Sequence, residues 1–148
     1  MVAAPAKPKP KYVIDAHGLR AALTTTQNSV RNAVITAIQN GEMLILKPAS
    51  KELKENDPEV YDDMQTISSK KYLPLDVSTS KAAAVLVDKH GGSRLFGITP
   101  PIDRFRALAA AGLHKLVLIS DGKALKDCQA IIAKCNLPNG CAKAPSFV

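Results

Sequence analysis

Four carboxylates stand where chemistry could gather them. Asp15 ends the run Tyr12-Val13-Ile14, Glu52 lies just past Met43-Leu44-Ile45-Leu46, Asp103 opens an alanine-rich stretch, and Asp121 follows Leu116-Val117-Leu118-Ile119-Ser120. Acids brought together repel, and they relieve the repulsion by raising a pKa or by holding a cation. Carboxylate oxygens suit hard Mg2+ or Mn2+, which keep some of their waters. Such an ion activates a water and stabilises charge developing on a phosphodiester. Asp also caps helices and turns chains, so each acid taken singly has a plain structural reading.

The apolar runs predict the elements that would position these acids. Tyr12–Asp15 reads as a buried strand, followed by a short helical or loop piece to Thr26. Val30, Ala33, Val34, Ala37 and Ile38 recur at helical spacing, with Asn28 or Ser29 as cap and Asn40-Gly41 as stop. Residues 43–46 give a second strand, and a strand–helix–strand order predicts a parallel pair. Pro48 ends that strand, Ser50 caps the next helix, and Glu52 falls in its first turn. A helix from Pro58 to about Ser68 carries an acidic, solvated face, and 69–77 reads as loop.

Ser78 caps a helix over Thr79–His90, stopped by Gly91-Gly92, and 93–98 is ambiguous between loop and strand. Thr99-Pro100-Pro101 announces a helix with Asp103 in its first turn. Residues 116–119 form the strongest strand, ending at Ser120-Asp121-Gly122, and a last helix runs from Lys123 to about Lys134. The expected fold is α/β, three layers with a central, mainly parallel sheet. Asp15, Glu52 and Asp121 then lie at or just beyond the carboxyl ends of strands, where parallel sheets bind ligands, and Asp103 can reach the same edge. His17, two residues past Asp15, reads as a surface or packing histidine. Asp88 competes with Asp103 as third acid but falls mid-helix.

The chain has 148 residues, enough for one domain with a real core. A basic tail over 1–11, alternating Lys and Pro, is expected to be flexible, with the domain over 12–135 and an irregular tail over 136–148. The net charge is +7, unevenly spread: residues 52–63 hold six acids and one base. The basic remainder favours polyanions, nucleic acid first. No apolar run approaches the roughly 18 residues of a membrane span, and no secretory leader is visible. Cys128, Cys135 and Cys141 lack metal-site spacing and read as free thiols, which fits a cytoplasmic location. No glycine-rich phosphate loop follows the first strand, which disfavours a nucleotide-binding domain.

These pieces, in this order, resemble the PIN-domain family, in particular the compact PIN ribonucleases of bacterial toxin–antitoxin pairs. Tyr12-Val13-Ile14-Asp15 resembles the family's opening strand and first metal-binding acid. Asn40-Gly41 through Leu46, with Pro48 and Glu52-Leu53, resembles its second strand and acid-plus-leucine helix start. Ile102-Asp103 with Ala107-Leu108-Ala109, and residues 116–121, resemble the third and fourth acids in their settings. The resemblance implies a metal-dependent endoribonuclease, with Asp15, Glu52, Asp103 and Asp121 binding Mg2+ or Mn2+ and serving as the catalytic set. It also implies RNA as substrate, an antitoxin as protein partner and a homodimer as assembly. Two positions depart from the pattern: Ile119 stands where Thr or Ser is usual, with the hydroxyl on Ser120, and Ala16-His17-Gly18 replaces a small polar residue. The alternative these departures favour is a PIN-like module that binds RNA or protein through a degenerate metal site.

Overall fold

The computed structural model describes residues 10–90, 102–137 and 140–143. Five strands form one all-parallel sheet in the order β3-β2-β1-β4-β5. They are β1 Tyr12–Ile14, β2 Met43–Leu46, β3 Tyr72–Leu73, β4 Val117–Ser120 and β5 Cys141–Lys143. The helices are α1 Ala16–Thr24, α2 Asn28–Gln39, α3 Lys47–Asn56, α4 Pro58–Gln65, α5 Val77–His90, α6 Ile102–Leu113 and α7 Gly122–Cys135. Right-handed crossovers put connections that step in opposite directions on opposite faces of a sheet. Accordingly α1 to α4 pack on one another and α5 to α7 pack on one another, giving the three-layer α/β/α architecture expected from the strand–helix alternation.

The central strands are buried on both faces, so they are continuous apolar runs rather than alternating ones. Val13, Ile14, Met43, Ile45, Leu118 and Ile119 are all at most 1% exposed. Residues Tyr12 to Ile14 align with Met43 to Ile45 on one side and Val117 to Ile119 on the other. β1 is therefore the middle strand. The chain leaves it first toward β2 and β3 and returns on its other flank as β4 and β5, so the topology reverses between β1 and β4.

Several local expectations change. The helix after β2 starts at once, at Lys47, with Pro48 in its first two positions and no side-chain cap. Proline there forfeits no intrahelical bond, so it opens α3 rather than separating it from the strand. Ser50 is then interior to the helix, and Glu52 lies in the second turn. Neither Asn28 nor Ser29 caps α2, which begins at Asn28 after Gln27, whose side chain makes no capping hydrogen bond. Asp76, not Ser78, caps α5: its Oδ1 accepts from the Thr79 amide at 2.9 Å and the Thr79 hydroxyl at 3.0 Å, and these bonds hold its carboxyl below the usual range. α4 stops at Gln65.

Two short edge strands were hidden in stretches expected to be irregular. Tyr72-Leu73 pairs with Ile45-Leu46, and residues 141–143 pair with 118–120. Lys11, placed in the tail by its composition, is bound into the sheet: its amide donates to Glu42 O and its carbonyl accepts from Val117 N. Gly41 stops α2 with φ +84°, as expected. The expectations for residues 1–9, 91–101 and 144–148 fall outside the described residues.

Gly18 has no room for a side chain. A Cβ there would lie 2.5 Å from the Ile119 carbonyl oxygen and 2.8 Å from Ile14 Cγ1, so α1 presses directly on the backbone of β4. Overpacking of this kind costs about 1–3 kcal/mol, and here the obstacle is backbone. Gly18→Ala is expected to lower unfolding stability by at least about 2 kcal/mol in urea titration. An unchanged midpoint would show that α1 is free to lift away.

Candidate active site

The site begins with Asp15, whose carboxylate closes β1 and caps α1. Its Oδ1 accepts from the Gly18 amide at 2.8 Å, and its Oδ2 accepts from the Ser120 hydroxyl at 2.7 Å. Its own amide donates to Ile119 O across the sheet. The acid is 8% exposed and Ser120 is fully buried. Asp15 thus bridges the two strands at the topological reversal, the position where open parallel sheets bind ligands. Ser120 is the hydroxyl that sits one residue away from the resembled pattern, and its oxygen is directed at Asp15.

In front of Asp15 lies a cleft of about 410 Å³. Its walls carry Asp15 and His17 from the start of α1, Lys51, Glu52 and Glu55 from α3, and Asp103, Arg104 and Arg106 from the start of α6. The cleft therefore spans the carboxyl edge of the sheet, from one helical layer to the other. Three of the four expected acids, Asp15, Glu52 and Asp103, line it. Asp121 does not: it caps α7, its Oδ1 accepts from the Gly122 amide at 2.6 Å, and it faces a smaller hollow with His17, Arg20 and Thr24. Asp88 is exposed on α5 and does not line the cleft.

The cleft is mixed in charge. His17 Nε2 is buried without a hydrogen-bond partner and stands 3.7 Å from Glu52 Oε1, beyond hydrogen-bond range. Arg106 Nη1 is 3.6 Å from Asp103 Oδ1 on the exposed lip. Arg104 pairs with Asp127 of α7 at 3.5 Å, both side chains under a fifth exposed, with Arg104 Nε and Asp127 Oδ2 lacking hydrogen bonds. The two arginines beside Asp103 were not singled out in the sequence. The signal was available, since Asp103-Arg104-Phe105-Arg106 puts three charges in one helical turn around a single apolar anchor.

Carboxylate oxygens are the donors Mg2+ and Mn2+ take, and three such groups line one cleft. Glu52 and Asp103 carry side chains 42% and 74% exposed. As the side chains stand, no three Asp, Glu, His or Cys residues among those described are gathered around one point for an ion. The three cysteines are free. Burial pushes the Cys128 thiol far up and the Cys141 thiol up to about 11, so both stay protonated. Among the described residues no helix is long and apolar enough to cross a membrane. No protein-family model matches the chain, and no curated protein matches it.

Burial raises the Asp15 carboxyl above its ordinary 3.8, and the Ser120 and Gly18 donors, with positive charge from His17 and Arg104, pull it back only in part. A raised folded-state pKa means that the folded protein holds more proton at this site than the unfolded chain. Stability drawn from Asp15 is therefore present at acid pH and is lost as pH rises from about 3.8 through the folded value. Asp15→Asn keeps an oxygen for the Gly18 amide and offers an amide to the Ser120 oxygen. It is expected to be more stable than the parent at pH 7, with the gap closing toward pH 3.5. Urea titrations across that range check this, and an Asn variant weaker at pH 7 would contradict it.

Proposed function

We propose that this chain is a metal-dependent endoribonuclease hydrolysing RNA phosphodiester bonds. The observation that carries the reading is the placement of Asp15: a desolvated acid, fixed by two donors at the topological reversal, opening on a cleft that also holds Glu52, Asp103 and two arginines. Asp15, Glu52 and Asp103 would hold Mg2+ or Mn2+. Bound there, the ion supplies a water acidified toward neutral pH and positive charge against the phosphate.

The chain's own groups have separate tasks in this scheme. Ser120 and Gly18 fix the two Asp15 oxygens at the wall of the cleft. Arg104, restrained by Asp127, and Arg106, on the lip, offer guanidinium forks that suit phosphate oxygens. His17 Nε2, buried and without a hydrogen-bond partner, stands 3.7 Å from Glu52 Oε1 and would limit the swing of that carboxylate. The same reading makes the chain the toxin of a toxin–antitoxin pair, which coexpression with the neighbouring open reading frame tests by relief of growth arrest.

Asp15→Asn is expected to reduce Mn2+-dependent cleavage of single-stranded RNA to background while retaining the parent circular dichroism spectrum. Full activity in that variant would remove Asp15 from the mechanism. A second reading has its own support: Asp121 lies outside the cleft and Arg106 already sits against Asp103. This is a PIN-like binding module whose metal site has degenerated. Calorimetric titration with Mn2+ separates the two, because no binding at millimolar metal selects the module.

A further inference from the structure

A second and larger groove, of about 830 Å³, lies beside the cleft, where α3 faces α4 and β3. Its polar lining is Lys47, Ser50, Lys51 and Lys54 of α3, with Tyr61 and Gln65 of α4 and Tyr72 of β3. The lysines recur at i, i+4 and i+7, one stripe of the helix. Glu52 and Glu55 form a neighbouring stripe that lines the cleft instead. No acid is among the groove's lining residues, although α3 and α4 are the most acidic part of the sequence. Charge is thus partly sorted by helix face: Glu52 and Glu55 line the cleft alone, Lys47 and Lys54 the groove alone, and Lys51 stands between the two.

We propose that this groove binds single-stranded RNA, with Lys47, Lys51 and Lys54 on the phosphates and Tyr61 and Tyr72 under the bases. Tyr72 is 38% exposed on an edge strand, and Tyr61 is half-buried with Lys54 Nζ 5.9 Å from its ring centroid. A lysine row with aromatic rings in the same groove is the combination that takes unpaired nucleotides, since only they offer base faces for stacking. A duplex hides those faces, and an acidic peptide would engage the lysines alone. Glu55 stands 4.0 Å from Lys51 with both side chains well exposed, a contact too weak to quench the stripe.

Pro48, Lys51 and Leu75 line both cavities, so a strand lying in the groove leads to Asp15. That continuity rests on the nuclease reading; the binding itself does not. Fluorescence anisotropy of the full chain in EDTA, with labelled oligoadenylate and a blunt RNA duplex, tests the binding without cleavage. Single strand is expected to bind at least about tenfold more tightly than duplex, and Tyr72→Ala to weaken the single strand about tenfold while Tyr72→Phe does not. The triple variant Lys47→Gln, Lys51→Gln, Lys54→Gln should flatten the log affinity against log salt slope by about two, at ~0.7 per phosphate contact.

Equal affinity for duplex, or parent-like single-strand binding by both Tyr72→Ala and the triple variant, would overturn the assignment. Poly-glutamate displacing oligoadenylate as well as unlabelled RNA does would overturn it in favour of an acidic peptide. Circular dichroism and melting of each variant verify folding. Asp15-dependent cleavage with no groove effect sinks the groove alone, whereas groove binding with Asp15-independent cleavage sinks the catalytic reading alone.

Discussion

The hydrogen bond from the Ser120 hydroxyl to the Asp15 carboxylate is the interaction on which the rest of the site depends. It joins the ends of two adjacent parallel strands that belong to opposite halves of the chain's winding. A buried carboxylate with no donor would be costly enough to move the strand end or to keep the proton. With Ser120 on one oxygen and the Gly18 amide on the other, the acid stays at the sheet edge, where it lines the cleft. The small residue at Gly18 is part of the same arrangement, because it lets the capped first turn of α1 lie against the Ile119 backbone.

Charge in this molecule is organised around α3. A helix of ten residues presents a buried stripe through Ala49 and Leu53, an acidic stripe on the cleft and a lysine stripe on the groove, with Lys51 on the ridge between them. The net charge of the segment hides this, since a sum over residues 52–63 mixes faces that never meet. Sorting by face lets one helix border two cavities of different character, and Pro48 at its start turns the chain from strand to helix with no intervening loop.

Much of this was legible in the sequence because apolar runs and helical periodicity report burial directly. β1, β2, β4 and the helices packed on them came from such runs, and Asp15 came from its place after one. The edge strands were not legible: Tyr72-Leu73 is two residues long and 141–143 contains one aliphatic side chain, so neither has a period to read. The caps were misplaced at Ser50 and Ser78 because a serine signals a helix start only when the backbone before it is not already helical. The site was partly legible. Strand ends brought Asp15, Glu52 and Asp103 to one cleft, but which way Asp121 faces was decided by its bond to the next amide, a choice with no trace in composition or spacing.

The central position of β1 has a consequence for how the molecule is made. β1 meets β2 through a connection within the first third of the chain, whereas Asp15 and Ser120 are 105 residues apart. Long loops close later and at greater entropic cost than short ones, and parallel pairing cannot bypass that delay. During folding the first strand therefore has one flank open while the chain builds β2 and β3, and Asp15 remains an ordinary hydrated acid. Its water is lost only when β4 docks. The candidate site is thus incomplete until β4 is in place, and an incompletely folded chain carries the residues of the site without its chemistry.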